Sequence, residues 1–172
     1  TDNSSLIFRV ADNGRLYQSY LGKKLNHEAD ISHLPQGTEA YITHGMEDYF
    51  EPAIHILHND GNPSLLLKYV SHETKAVSQG VNETIITLGD DKYPVTVKLH
   101  YVTYPAEDII KTYTEISHKE KKPVVLHQYA SSMLHLNRAK YYLTEFSGDW
   151  AHEANISDQP LEFGKKVLDT KL

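Results

Sequence analysis

The stretch Val95–Tyr104 has the sequence VTVKLHYVTY, in which apolar residues alternate with largely polar ones. Side chains of a β-strand point to opposite faces in turn, so this period of two predicts a long strand with one apolar face. The stretch Ile109–Ser117 alternates in the same way, and its β-branched residues suit a pleated surface. Both stretches therefore predict a protein built from β-strands.

Shorter runs of strand-like composition lie on both sides of these two stretches. They are Leu6–Val10, Leu16–Tyr20, Glu39–Thr43, Ile54–His58, Leu65–Glu73, Thr84–Leu88, Val124–Leu136, Tyr141–Phe146 and Leu161–Thr170. Turn signals separate them, and Asp12-Asn13-Gly14 is a strong one, because a type I′ hairpin turn needs positive φ at both central residues. No window carries a capped helical stripe, and residues 22–36 are predicted to be irregular. The pattern predicts an all-β protein, either a sandwich or a barrel.

Length and composition predict one globular domain over residues 1–172, which is an ordinary domain size. The chain has 17 Lys and Arg against 23 Asp and Glu, a net charge of −6, so we expect no binding to nucleic acid. No apolar run approaches the roughly 18 residues of a membrane helix, so we expect no membrane partner. The absence of cysteine excludes disulfides and thiolate metal sites but leaves periplasm and cytoplasm open as compartments. A start without methionine or signal peptide indicates a processed chain or a piece of a longer one.

The titratable residues form no recognisable catalytic or metal-binding motif. Of the 11 histidines, His55 and His58 lie three apart on a predicted strand and should point to opposite faces, while His100 stands alone beside Lys98. No two carboxylates are spaced to converge to the roughly 5–5.5 Å that retaining glycoside hydrolysis requires. We therefore find no convincing acid–nucleophile pair and expect no metal site in this chain, with histidines that are exposed or hydrogen-bonded.

Two segments interrupt the strand pattern and concentrate acids and aromatic rings. Gly45–Ala53 contains three acids, two rings and a proline, and Phe146–Glu153 contains the single tryptophan, Trp150. Such loops can hold a sugar, because carboxylates accept hydrogen bonds from hydroxyls and rings pack on the C–H face of the sugar. The alternative is a packed corner, with Trp150 as its anchor and the acids solvated.

Both segments resemble motifs of the N-terminal domain of bacterial family 36 α-galactosidases, in particular those of Bacteroides-type bacteria. The family motif Gly-x-x-Asp-Phe-Arg-x-Pro-Ala is matched by Gly45, Asp48, Pro52 and Ala53, with Tyr49 for Phe and Phe50 for Arg. The motif Leu-Ser-Gly-x-Trp-Ala-Arg-Glu is matched by Ser147, Gly148, Trp150, Ala151 and Glu153, with Phe146 for Leu and His152 for Arg. Since Val95–Tyr104 also resembles the family's long strand, the resemblance spans nearly the whole chain.

The resemblance implies a large antiparallel β-sandwich of the supersandwich, galactose-mutarotase-like kind. It further implies a retaining enzyme that hydrolyses terminal α-galactosides such as melibiose and raffinose, without a cofactor. The nucleophile and the acid/base would lie on a barrel that begins after Leu172, so this chain would be non-catalytic. It would pack on that barrel and contribute to contacts in a homo-oligomer.

The resemblance also implies roles for particular residues. Asp48 is expected to contact a galactose hydroxyl in the whole enzyme, whereas Glu47, Tyr49, Trp150 and Glu153 are possible loop or interface residues. Trp150 is expected to anchor the corner before the last strand. Two other hypotheses stay open, namely a self-contained, lectin-like carbohydrate-binding module and a pure oligomerisation domain.

Overall fold

Antiparallel β-strands make up nearly all the regular structure of the computed structural model, which describes residues 1–46, 50–136, 140–162 and 164–169. In chain order the elements are β1 (Ser4–Val10), β2 (Leu16–Lys23), α1 (Glu28–Ser32), β3 (Thr38–Glu39), β4 (Ile54–Leu57), β5 (Leu67–Ser78), β6 (Val81–Asp90), β7 (Val95–Tyr104), β8 (Ile109–His118), β9 (Val125–Tyr129), β10 (Tyr142–Asp149) and β11 (His152–Pro160). The chain forms two compact units, Thr1–Leu136 and Asn137–Leu172. Within the described residues, no helix has the length and apolar character needed to cross a membrane.

The first unit contains three antiparallel sheets, with strand orders β1-β2-β3, β4-β9 and β5-β6-β7-β8. Sequence neighbours pair in the four-stranded sheet, and Val97 of β7 lies opposite Leu88 of β6 and Ile116 of β8. The alternation in the sequence therefore places the apolar side chains of neighbouring strands on one shared face of this sheet.

One hydrophobic core joins the three sheets of the first unit. Val97 of β7 and Ile54 of β4 are fully buried, and both belong to a single cluster with Leu16 of β2. Each sheet buries its apolar face against the others, which is the arrangement of a β-sandwich. The prediction of an all-β sandwich is confirmed.

Two predicted strands of the first unit are shorter than expected. β3 ends at Glu39, whereas the strand was predicted over Glu39–Thr43, and β9 ends at Tyr129 rather than at Leu136. After β9, residues 130–136 form no strand, and side-chain hydrogen bonds fix their position instead. Gln18 of β2 donates from Nε2 to the carbonyl of His135 at 2.6 Å and accepts from its N–H at 3.1 Å. Inside the stretch predicted to be irregular, α1 forms one short helix.

The second unit contains the antiparallel hairpin β10–β11, in which Phe146 lies opposite Ile156. The predicted strand Leu161–Thr170 is wrong, because residues 161, 162 and 164–169 have no strand structure. The strand lies earlier, at β11, whose residues HEANISDQP are mostly polar. Both faces of β11 are largely exposed, so burial imposes no alternation on its sequence, and the pattern of apolar residues could not reveal it.

Candidate functional site

The segment that carries Asp48 connects residues 42–44 to β4, and the structure defines both of its ends. Glu47, Asp48 and Tyr49 lie outside the described residues. At the first end, Gly45 has φ +87°, and a Cβ there would stand 3.1 Å from Cα of Ser64 and 2.9 Å from its Oγ. A side chain at Gly45 would therefore be strained as well as crowded, which explains the glycine of the motif.

The second end of the segment is held between β4 and β9. Ala53 is almost fully buried, its N–H donates to the carbonyl of Ile42 at 2.8 Å, and its carbonyl accepts from the N–H of Ala130 at 2.7 Å. The carbonyl of Pro52 accepts from Nε2 of Gln128 at 2.7 Å. By contrast, Phe50, which replaces the arginine of the family motif, is 57% exposed. The motif residues at this end therefore fix the backbone, while Phe50 faces solvent.

Three histidine rings contact one another where the segment begins and ends, with His44 stacked on His55 and His127 tilted against His55. The ring centroids of His44 and His55 lie 3.9 Å apart with 24° between the ring planes, and those of His55 and His127 lie 4.8 Å apart with 36° between them. Burial lowers the pKa of His55 below its ordinary value, and the nearby His44 and His127 lower it further. Within the described parts of the chain, no group of three or more His, Cys, Asp or Glu could hold a metal ion.

His100 has no partner beside it in the sequence, and the structure supplies one from the neighbouring strand β6. Its ring is buried on the four-stranded sheet, stacks on Tyr113 at 4.2 Å, and forms a 2.9 Å hydrogen bond between Nδ1 and Oε1 of Glu83. Glu83 also accepts from the hydroxyl of Tyr113 at 2.6 Å and lies 2.9 Å from Nζ of Lys75. The hydrogen bonds from Tyr113, Lys75 and His100 lower the pKa of Glu83 to about 2. The carboxylate is therefore ionised, and this cluster holds strands β5 to β8 together.

His58 forms a second buried histidine–carboxylate pair, which joins the turn after β4 to the loop after β8. Its Nδ1 lies 2.7 Å from Oε1 of Glu120, and its ring stacks on Tyr93 at 3.6 Å. Burial opposes ionisation of Glu120, yet hydrogen bonds from His58 and Asn59 together lower the pKa of the carboxyl. His58 and His100 are thus hydrogen-bonded within the sandwich, as expected of histidines without a ligand motif.

Trp150 lies at the tip of the β10–β11 hairpin in the second unit, and Glu153 is the second residue of β11. The side chain of Trp150 is 91% exposed, and Glu153 is also exposed. The tip reverses the chain through Ala151, whose φ of +61° is unusual for a residue with a side chain. The ring of Trp150 is thus exposed at the turn, and its role as the anchor of a packed corner stays a prediction.

Comparison with known proteins assigns this fold and these motifs to one family. The family model described as the glycosyl hydrolase family 36 N-terminal domain matches residues 14–172. The probable α-galactosidase G of Aspergillus terreus and α-galactosidase C of Emericella nidulans are each 25% identical to this chain in an alignment of 133 residues that covers 70% of it. The closer resemblance to Bacteroides-type enzymes stays a prediction.

Solved structures share the fold at low sequence identity. A variant of the family 36 α-galactosidase AgaA from Geobacillus stearothermophilus, in complex with raffinose, superposes with a TM-score of 0.85 at 20% identity over 95% of this chain. The α-galactosidase from Lactobacillus brevis superposes with a TM-score of 0.80 at 21% identity over 94% of the chain.

The chain spans only part of these proteins. It covers 18% of each fungal relative and 28% and 26% of the two solved chains. The family match, in contrast, covers nearly all of the present sequence, including both motif segments. This chain therefore belongs to the family of N-terminal domains of glycosyl hydrolase family 36.

Proposed function

We propose that this chain is the non-catalytic N-terminal domain of a retaining α-galactosidase that hydrolyses terminal α-galactosides such as melibiose and raffinose. It packs on the catalytic barrel of the same protein, contributes to the contacts of a homo-oligomer and supplies part of the substrate pocket. The observation that carries the proposal is the family match over residues 14–172. The relatives named α-galactosidase, and the raffinose and stachyose held by neighbouring solved structures, support the substrate class.

Asp48 is the residue of this chain that we propose contacts the substrate, through a galactose hydroxyl. The support is the anchoring of its segment, since Gly45 meets Ser64 at one end and Ala53 is hydrogen-bonded on both sides at the other. Glu47, Tyr49, Trp150 and Glu153 are proposed loop or interface residues.

The longer protein that carries this domain should hydrolyse p-nitrophenyl α-galactoside and raffinose, whereas the 172-residue chain alone should not. In the longer protein, Asp48→Ala should lower kcat/KM for raffinose about tenfold or more. The reason is the loss of a charge-assisted hydrogen bond, which is worth about 1.5–3 kcal/mol. Steady-state kinetics and thermal melting of the same preparations check both statements.

The matched control is Asp12→Ala, which removes an exposed acid from the turn between β1 and β2. It should leave both kinetics and melting temperature unchanged. An inactive longer protein, or turnover by the isolated chain, would contradict the proposed function. Unchanged kinetics in Asp48→Ala would remove only Asp48 from the pocket and leave the assignment of the domain in place.

A second candidate function is a self-contained, lectin-like module, and the exposure of Trp150 favours it. The indole lies at a hairpin tip beside Asp149, and Glu153 follows three residues later. An exposed ring next to carboxylates can stack on a sugar while the acids accept hydrogen bonds from its hydroxyls.

Titration of the isolated chain with galactose and raffinose, observed by NMR, separates the two candidates. The module predicts saturable shifts in the Trp150 indole and its neighbours, and these shifts should vanish in Trp150→Ala. Tyr142→Ala, which removes another exposed ring of the same hairpin, is the control. The non-catalytic domain predicts no shifts with a well-dispersed spectrum, because its sugar contact needs the rest of the pocket.

A further inference from the structure

The stack of His44, His55 and His127 joins three separate parts of the first unit. His44 is the last residue before Gly45, His55 is the second residue of β4, and His127 lies on β9. His55 occupies the middle of the stack, with centroid distances of 3.9 Å to His44 and 4.8 Å to His127. The rings therefore connect the start of the Asp48 segment, its end and the neighbouring strand.

Backbone hydrogen bonds also join the three parts of the chain that carry the histidine rings. The N–H of His44 donates to the carbonyl of Ile54 at 3.0 Å, and the N–H of Ala53 donates to that of Ile42 at 2.8 Å. On the other side of β4, the N–H of Ala130 donates to the carbonyl of Ala53 at 2.7 Å. Movement of the rings away from one another would act directly on these bonds.

We propose that His44, His55 and His127 form a proton-sensitive clasp, which holds the ends of the segment 45–53 together at neutral pH and loosens as the rings gain protons. Neutral imidazole rings pack favourably in offset-stacked or tilted arrangements, whereas two imidazolium ions about 4 Å apart repel each other even when water screens them. The proposal does not depend on the α-galactosidase assignment, because it concerns only the stability of this chain.

The charges around the stack support this direction. Among the described residues, His44 from residues 42–44 and His127 from β9 face His55, and both oppose its protonation. The carboxylate of Glu51 lies next to this part of β9, since its Oε1 accepts from Nε2 of Gln128 at 3.3 Å.

The clasp should stabilise the folded chain more at neutral pH than at acidic pH. The folded state lowers the pKa of His55 below its ordinary value of 6.5, so the unfolded chain binds the proton more readily. The stabilisation is complete above about pH 6.5, the ordinary value for histidine, and is lost as the pH falls below it. Acidification should therefore open the clasp before it affects the four-stranded sheet.

Amide hydrogen exchange of the 172-residue chain at pH 7.5 and pH 5.0 tests the clasp. After correction for the intrinsic rates, protection of the amides of His44, Ala53 and Ala130 should fall about tenfold at pH 5.0, while amides of β6 and β7 keep theirs. His55→Phe preserves a flat ring but accepts no proton, so it should remain protected at both pH values. His33→Phe, at an exposed histidine just after α1, should behave like the unsubstituted chain.

Equal protection of the three amides at both pH values in the unsubstituted chain would overturn the proposal. The same loss in His55→Phe would also overturn it, because that variant cannot be charged at the centre of the stack. If His55→Phe does not fold, His55→Gln serves the same purpose, and direct NMR titration of the His55 ring should give a pKa below the ordinary value for histidine.

Discussion

Replacing Gly37 with alanine is expected to destabilise the first unit by about 3 kcal/mol or more. Gly37 has φ +83°, and a Cβ at this position would stand 1.9 Å from the carbonyl oxygen of Gln18 and 2.9 Å from Cα of Ser19. A side chain at positive φ costs about 1–2 kcal/mol, and forced overpacking adds about 1–3 kcal/mol. The obstructing atoms belong to the backbone of β2 and cannot rotate away.

The clash should separate β3 from β2, because Thr38, the next residue, pairs with Gln18. Gln18 also carries the two hydrogen bonds to His135, so the chain after β9 should loosen as well. Urea unfolding observed by circular dichroism measures the loss, and amide exchange locates it.

Gly61→Ala is a closely matched control, since Gly61 has the same φ of +83° but no atom within 4 Å of the point where a Cβ would stand. It should cost only the conformational strain, about 1 kcal/mol. Equal losses in the two variants would show that steric conflict with β2 contributes nothing at Gly37.

Breaking the ion pair between Arg15 and Glu39 is expected to cost about 3–5 kcal/mol, because one charge then stays buried without its partner. Nε of Arg15 donates to Oε1 of Glu39 at 2.9 Å, and a second guanidinium nitrogen donates to Oε2. The two side chains are only 10% and 4% exposed. Arg15→Met and Glu39→Leu should each show the loss in urea unfolding.

The double variant Arg15→Met/Glu39→Leu should be more stable than either single variant, since it removes both buried charges together. Lys68→Met and Asp91→Leu, which break an exposed pair, form the control and should each cost less than about 1 kcal/mol. Additive losses in the Arg15 and Glu39 cycle would contradict a coupled buried pair.

The strands that could be predicted from the sequence are those in which burial of one face imposes an alternating pattern on neighbouring residues. In Val95–Tyr104, every second side chain faces the core, so the strand and its apolar face are visible in the order of residues. β11 could not be predicted in this way, because both of its faces are largely exposed and its pairing with β10 is a backbone property.

The candidate site also has a part that could be predicted from the sequence and a part that could not. The motif around Asp48 could be recognised because its residues are contiguous, and the glycine and alanine at its ends have backbone reasons that hold wherever the segment lies. The exposure of Trp150 could not be predicted, since a tryptophan in a turn is compatible with both a packed and an open tip. The stack of His44, His55 and His127 likewise left no local signal.

The order of residues alone was enough to predict an all-β sandwich and to reveal the resemblance to the N-terminal domain of family 36 α-galactosidases. Which distant side chains meet became visible only in the folded chain, where Arg15 meets Glu39, His100 meets Glu83 and His127 meets His55. Strand periodicity depends on neighbours two residues apart, whereas these contacts depend on sheet pairing and on registers between strands that are far apart along the chain.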